Sequence, residues 1–113
     1  MRKVEEAMLD AVKAGNARCI NNTMVTDDGA VYLHGNKIAQ YNTDDNTLRL
    51  DACGWFTITT RSRIDALCEL LEGNYRASIR HGILALDNTD TGERVDLPVS
   101  LDCIDAMRGV YVA

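Results

Sequence analysis

Aromatic residues are scarce in this chain of 113 residues, at 5 %, with Trp55 the only tryptophan and Phe56 the only phenylalanine. A core must therefore be built mainly from Val, Ile, Leu, Met and Ala, and the adjacency of the two rarest rings makes their segment conspicuous. The four cysteines, Cys19, Cys53, Cys68 and Cys103, stand far apart, with no Cys-x-x-Cys and no nearby His pair, which argues against a zinc site. The start, Met1-Arg2-Lys3-Val4-Glu5-Glu6, lacks the hydrophobic region of a signal peptide, and no apolar run approaches a membrane span. These absences point to a protein of the reducing cytoplasm with free thiols, Cys68 and Cys103 sitting on the apolar stripes of expected helices.

A basic surplus is lacking too. The formal net charge is −5, which argues against broad binding of DNA or RNA, since that needs Lys and Arg to neutralise phosphates. The acids are interspersed with Arg and Lys rather than massed, as on a solvated surface. No cofactor motif, metal cluster or catalytic constellation emerges, so no cofactor is expected and enzymatic activity is the lesser reading. The acidic turns at Asp27-Asp28, Asp44-Asp45 and residues 87–90 lack the ligand spacing of a calcium loop and read as turn formers.

What is present is the pattern of one α+β domain over residues 1–113, an antiparallel sheet of short hairpin strands packed with two or three helices. A first helix is expected over residues 3–14, with Val4, Met8 and Val12 plus Ala7 and Ala11 facing inward and Gly15-Asn16 ending it. Strands are expected over residues 22–26, 30–34, 37–42 and 47–53, with Gly35-Asn36 as a two-residue hairpin loop. A second helix carries Ile64, Leu67, Cys68 and Leu71 at i, i+3, i+4, i+7, is capped by Thr59 or Thr60 and is stopped by Gly73. Further strands are expected over residues 75–80, 83–87 and 93–97. Pro98 follows, and then a short helix capped by Ser100 and carrying Leu101, Ile104 and Met107. Residues 110–112 would add an edge strand or fray. Residues 33–51 and 79–96 resemble each other, each with His-Gly, an alternating strand and an Asn-Thr-Asp turn, which hints at duplication.

The best candidate site is the run from Gly54 to Arg63. Hydroxyls of Thr59, Thr60 and Ser62 would gather at a helix N-terminus, where backbone N–H groups and the dipole favour an anion. Arg61 and Arg63 could grip it in a bidentate way, and Trp55 could offer a stacking surface to a base or a face to a partner protein. The competing account is a capped helix with solvated arginines paired to neighbouring acids, and one of Trp55 and Phe56 closing the core. His34 and His81 each precede a glycine. They read as surface residues of hairpin ends rather than as an acid/base pair.

Two motifs in order carry a resemblance. Val31-Tyr32-Leu33-His34-Gly35-Asn36-Lys37-Ile38-Ala39, followed by Gly54-Trp55 and Thr59-Thr60-Arg61-Ser62-Arg63, resembles a group of small tailed-bacteriophage proteins with no established activity. The resemblance covers about the first two-thirds of the chain. That group often has a proline where Ile58 stands here, and its C-terminal part departs from Leu97-Pro98-Val99. It implies a phage origin and hence the host cytoplasm. The expected function is that of an accessory protein acting by binding a host or defence protein, through an apolar or acidic surface away from the second helix. The alternative is a binder of a nucleotide or other phosphorylated ligand, single-stranded nucleic acid included. A homo-oligomer through edge strands is compatible with the pattern.

Overall fold

A computed structural model describes residues 2–105 and residue 107. The element order is α1 (Lys3–Ala14), β1 (Arg18–Ile20), β2 (Thr23–Val25), β3 (Ala30–Leu33), β4 (Asn36–Asn42) and β5 (Thr47–Leu50). Then come α2 (Ile58–Leu67), a 3-10 turn at Cys68–Leu70, β6 (Tyr75–Arg80), β7 (Ile83–Asn88), β8 (Arg94–Asp96) and β9 (Val99–Asp102). The class is α+β, and strongly sheet-rich. Six antiparallel strands run in the order β1-β2-β3-β4-β5-β9, and β6-β7-β8 form a second, three-stranded sheet.

Local chemistry explains most of these elements. Gly15, at φ 67°, ends α1 in the left-handed region that favours glycine. The buried face of α1 is Glu5, Met8, Leu9, Ala11 and Val12, rotated from the expected stripe, which had Val4 and Ala7 inward. Positions 5, 8, 9 and 12 still follow the helical period. β1 was not anticipated, because three mostly exposed edge residues carry no alternation to detect. The β3–β4 hairpin turns on His34 (φ 51°) and Gly35 (φ 79°), with Leu33 paired to Asn36, so the loop is His-Gly rather than Gly-Asn. Both loop residues have positive φ, the type I′ geometry that matches strand twist.

One bulge shapes the sheet. Val31 pairs with Ala39 and Tyr32 with Lys37, leaving Ile38 extra, and Ile38 and Ala39 are both buried. The second meander repeats the turns of the first without the bulge. His81 (φ 51°) and Gly82 (φ 76°) close β6–β7. The Asn42 carboxamide accepts from Asp44 N–H at 3.0 Å as that of Asn88 does from Asp90 N–H at 2.9 Å. Asn46 (φ 56°) and Gly92 (φ 76°) take the same left-handed place four residues after those asparagines.

The C-terminal expectation is corrected. Val99–Asp102 is a strand beside β5, not the start of a helix, because Leu48–Leu101 and Leu50–Val99 pairing completes the six-stranded sheet. Leu101 and Ser100 therefore lie in the ladder, and Cys103 forms a bridge with Leu71 instead of sitting on a helical stripe. The expected tail strand at residues 110–112 lies outside the described residues, as do parts of the expected helix. The core runs from α1 through both sheets, with Met8, Leu48, Ile64, Leu84 and Leu86 fully buried. Tyr41 is its buried ring, 1 % exposed, and its hydroxyl donates to Asn46 Oδ1 at 2.6 Å. Asn46 in turn donates to the Cys103 carbonyl at 3.1 Å, tying the β4–β5 loop to the end of β9.

Candidate functional site

The segment after β5 turns sharply. Cys53 (φ 55°) and Gly54 (φ 78°) are both left-handed, and Trp55 N–H donates to the Ala52 carbonyl at 2.9 Å, closing the turn. Asp51 Oδ1 accepts from Cys53 N–H at 2.8 Å and steadies it. No atom approaches a Cβ built on Gly54, so glycine serves the backbone angle there rather than space. The turn throws the aromatic pair outward. Trp55 is 56 % exposed, Phe56 41 % and Ile58 67 %, so neither ring closes the core.

α2 begins two or three residues earlier than expected. Thr57, not Thr59 or Thr60, is the cap, its Oγ1 accepting from Thr60 N–H at 3.2 Å. The Thr57 and Thr60 hydroxyls lie 3.0 Å apart and bond each other. That leaves the Ile58 and Thr59 N–H groups without intrahelical acceptors. The first turn carries no acid.

The six residues singled out from the sequence divide between two places. Arg63 is 4 % exposed. Its Nη1 donates to Glu5 Oε2 at 2.9 Å and its Nε to Thr23 Oγ1 at 3.1 Å. Ser62 Oγ donates to the same Glu5 oxygen at 2.5 Å, and Arg2 N–H to Glu5 Oε1 at 3.3 Å. Arg63 and Ser62 thus hold α2 against α1 and β2. Among the described residues no ion pair or side-chain hydrogen bond engages Arg61.

Trp55, Thr59 and Thr60 instead line a groove of about 380 Å³. The β3–β4 hairpin adds Leu33, His34, Asn36 and Ile38, and the approach to α2 adds Ala52 and Thr57. None of the lining side chains is a carboxylate, lysine or arginine. His34 is held from behind. Thr23 Oγ1 donates to Asn22 Oδ1 at 3.3 Å, which orients the Asn22 amide so that Nδ2 faces His34 Nε2 at 3.2 Å. This contact fixes the orientation of the His34 ring. A continuous chain therefore runs Glu5–Arg63–Thr23–Asn22–His34 into the groove. Sequence reasoning missed Asn36, Thr57 and the apolar wall, because hairpin and helix start meet only through the fold. The adjacency of His34 to a turn was the one visible signal.

Among the described residues no group of three or more His, Cys, Asp or Glu is placed to hold a metal ion, and no helix is long and apolar enough to cross a membrane.

Fold and site together define a small sheet-rich α+β protein with a surface groove between a hairpin turn and a helix start. The family model described as Kyanoviridae Gp96 protein matches residues 1–96, and the chain belongs to that family of tailed-phage proteins. No curated protein and no solved structure matches. The match takes in both meanders and the whole groove, and stops short of β9.

Proposed function

We propose that this phage protein is an accessory protein of the infected cell's cytoplasm that acts by binding a host or defence protein. The observation that carries the reading is the cluster Trp55, Phe56 and Ile58, three large apolar side chains turned to solvent within four positions. Contiguous exposed apolar surface of this kind marks contact sites, and aromatic residues lead the energetics of such contacts. The cluster lies at the N-terminal edge of α2, not away from it as the sequence suggested.

The test is a comparison of the native chain with a Phe56→Ser, Ile58→Ser double variant as bait in lysate of the infected host. Each species retained is then purified and its affinity for both baits measured. A partner that binds the native chain and loses most of its affinity for the variant supports the reading. Equal binding by both refutes it, provided the two baits melt alike.

A second reading is supported by the start of α2 beside the groove. The uncovered N–H groups of Ile58 and Thr59, with Thr59 and Arg61 nearby, suit a phosphorylated ligand such as a nucleotide or a single-stranded nucleic-acid segment. The engagement of Arg63 and Ser62 with Glu5 removes two of the six groups first assigned to it.

A further inference from the structure

We infer that the groove between the β3–β4 turn and Trp55 is a pocket for a planar, uncharged nitrogen heterocycle of nucleobase size, stacked on the Trp55 indole and read at its edge by Asn36 and His34. The inference shares its location with the second reading above but differs in the group recognised, a ring instead of a phosphate. It shares Trp55 with the partner surface but not Phe56 or Ile58, which are not among the lining residues.

Volume, polarity and charge each narrow the class of ligand. About 380 Å³ lies within the range of small-molecule pockets and near its lower end, which suits a base or nucleoside better than a dinucleotide. The apolar side chains of Leu33, Ile38 and Ala52 offer a dry wall. A ring stacked there would cover an indole that the protein itself leaves 56 % exposed.

Charge decides between a neutral and an ionised ligand. The chain carries 17 acidic and 12 basic residues, yet none of their side chains lines the groove. An ionised group seated among those side chains would lose water without gaining a counter-ion. An uncharged heterocycle needs only donors and acceptors, and the Asn36 amide supplies both in one plane. His34 adds a ring whose nitrogens can donate or accept, held by Asn22. The backbone is held as well: His34 N–H donates to the Asn22 carbonyl at 3.0 Å, and Trp55 is set by its closed turn. A site whose groups are fixed before binding loses less on ordering them.

Trp55 is the only tryptophan, so tryptophan emission reports from this one side chain. The experiment titrates the native protein with adenosine, guanosine, cytidine and uridine, their 5′-monophosphates, and inorganic phosphate. The expected result is saturable quenching by at least one nucleoside, with at most a few-fold tighter binding by its monophosphate and no response to phosphate. Asn36→Ala should weaken binding at least tenfold, with Thr59→Val as the alternative variant should Asn36→Ala not fold. Phe56→Ser with Ile58→Ser should leave it unchanged. No saturable change with any nucleoside up to its solubility overturns the proposal. So does binding of monophosphates that phosphate displaces and nucleosides do not share, which would assign the groove to an anion. Failure here leaves the partner surface standing, because that reading is measured on different side chains.

Discussion

Replacing Arg63 should destabilise the protein severely, whereas replacing Arg61 should leave it nearly untouched. The two stand two residues apart and look alike in the sequence, but only Arg63 is buried. The side chains of Arg63 and Glu5 are each 5 % exposed, and their 2.9 Å contact is the ion pair between α2 and α1. Arg63→Ala strips Glu5 Oε2 of its cationic donor, orphans one contact of Thr23 and leaves the volume of the arginine stem empty. Removing one partner of a buried pair costs about 3–5 kcal/mol. Against a total stability of about 5–15 kcal/mol, that is a large share. It corresponds to a fall in melting temperature on the order of 10–20 °C for a domain of this size. Arg61→Ala, a half-buried surface change with no bond to lose, should stay within about 0.5 kcal/mol. Urea unfolding followed by circular dichroism measures both, with the slope unchanged if only stability moves. The double variant Glu5→Leu, Arg63→Met should recover most of the loss, since apolar residues of similar volume often match a buried ion pair. A cost for Arg63→Ala below about 1 kcal/mol, the value of an exposed pair, would refute the reasoning.

Tyr41→Phe leaves buried Asn46 Oδ1 without its 2.6 Å donor and should cost about 1–3 kcal/mol in the same assay. Thr57→Ala removes the acceptor for Thr60 N–H and should cost about 0.5–2 kcal/mol, while Thr59→Ala, if Thr59 were the cap, would cost as much. The Asp87 carboxyl is held below its ordinary value of 3.8, first by the Ser78 hydroxyl and then by Arg94 and Arg80, against a raising effect of burial. A depressed folded pKa contributes stability that is present above the unfolded value and lost as pH falls through the folded one. The stability gap between native protein and Asp87→Asn should therefore be constant near neutrality and shrink as pH drops below about 4. A gap that instead shrinks above pH 5 would contradict this. Burial pushes the thiols of Cys68 and Cys103 up to about 12, so at pH 8 a disulfide reagent should label exposed Cys19 quickly and those two only on unfolding. Rapid labelling of all four in native buffer would contradict the burial.

How far the sequence showed all this depends on which interactions are local. α1, the β3–β4 and β6–β7 hairpins and the apolar stripe of α2 are written in short-range periodicity and turn chemistry. α1 and the two hairpins appear where expected, to within a residue or two, whereas α2 starts earlier and ends at Leu67, a 3-10 turn following and Leu71 lying in extended backbone short of the expected stop at Gly73. β9 was hidden, because Leu101 and Ile104 also fit a helical spacing and only pairing with β5 makes Val99–Asp102 a strand. The burial of Glu5 and Arg63 was legible in principle. Carrying the stripe Ile64–Leu67 back one turn puts Thr60 and Arg63 on the same face, and the stripe Met8–Leu9–Val12 does the same for Glu5. Reading charged residues as solvated concealed the match. Two opposite charges each falling on an inward face are, in hindsight, the sequence signal of a buried pair. The groove was not legible, since Asn36 and Trp55 are brought together by the sheet and by the left-handed pair Cys53-Gly54.

The repeated meanders separate scaffold from site. Both use His-Gly at the first turn, an Asn that caps the second turn and a left-handed residue four positions on, so those choices answer to hairpin geometry alone. His81 meets that demand with no further side-chain bond among the described residues, and like His34 it is exposed. His34 meets it too, but is also tethered to Asn22, and through Thr23 and Arg63 to the carboxylate of α1. A turn needs none of those bonds. If His34 served only the hairpin, His34→Asn, which tolerates the left-handed region, should be as silent as His81→Asn. If the tether serves the groove, the two substitutions should cost similar stability, but only His34→Asn should alter the response of Trp55 to a bound ring. Equal responses from the two variants would reduce the tether to packing and leave the groove without a positioned edge reader.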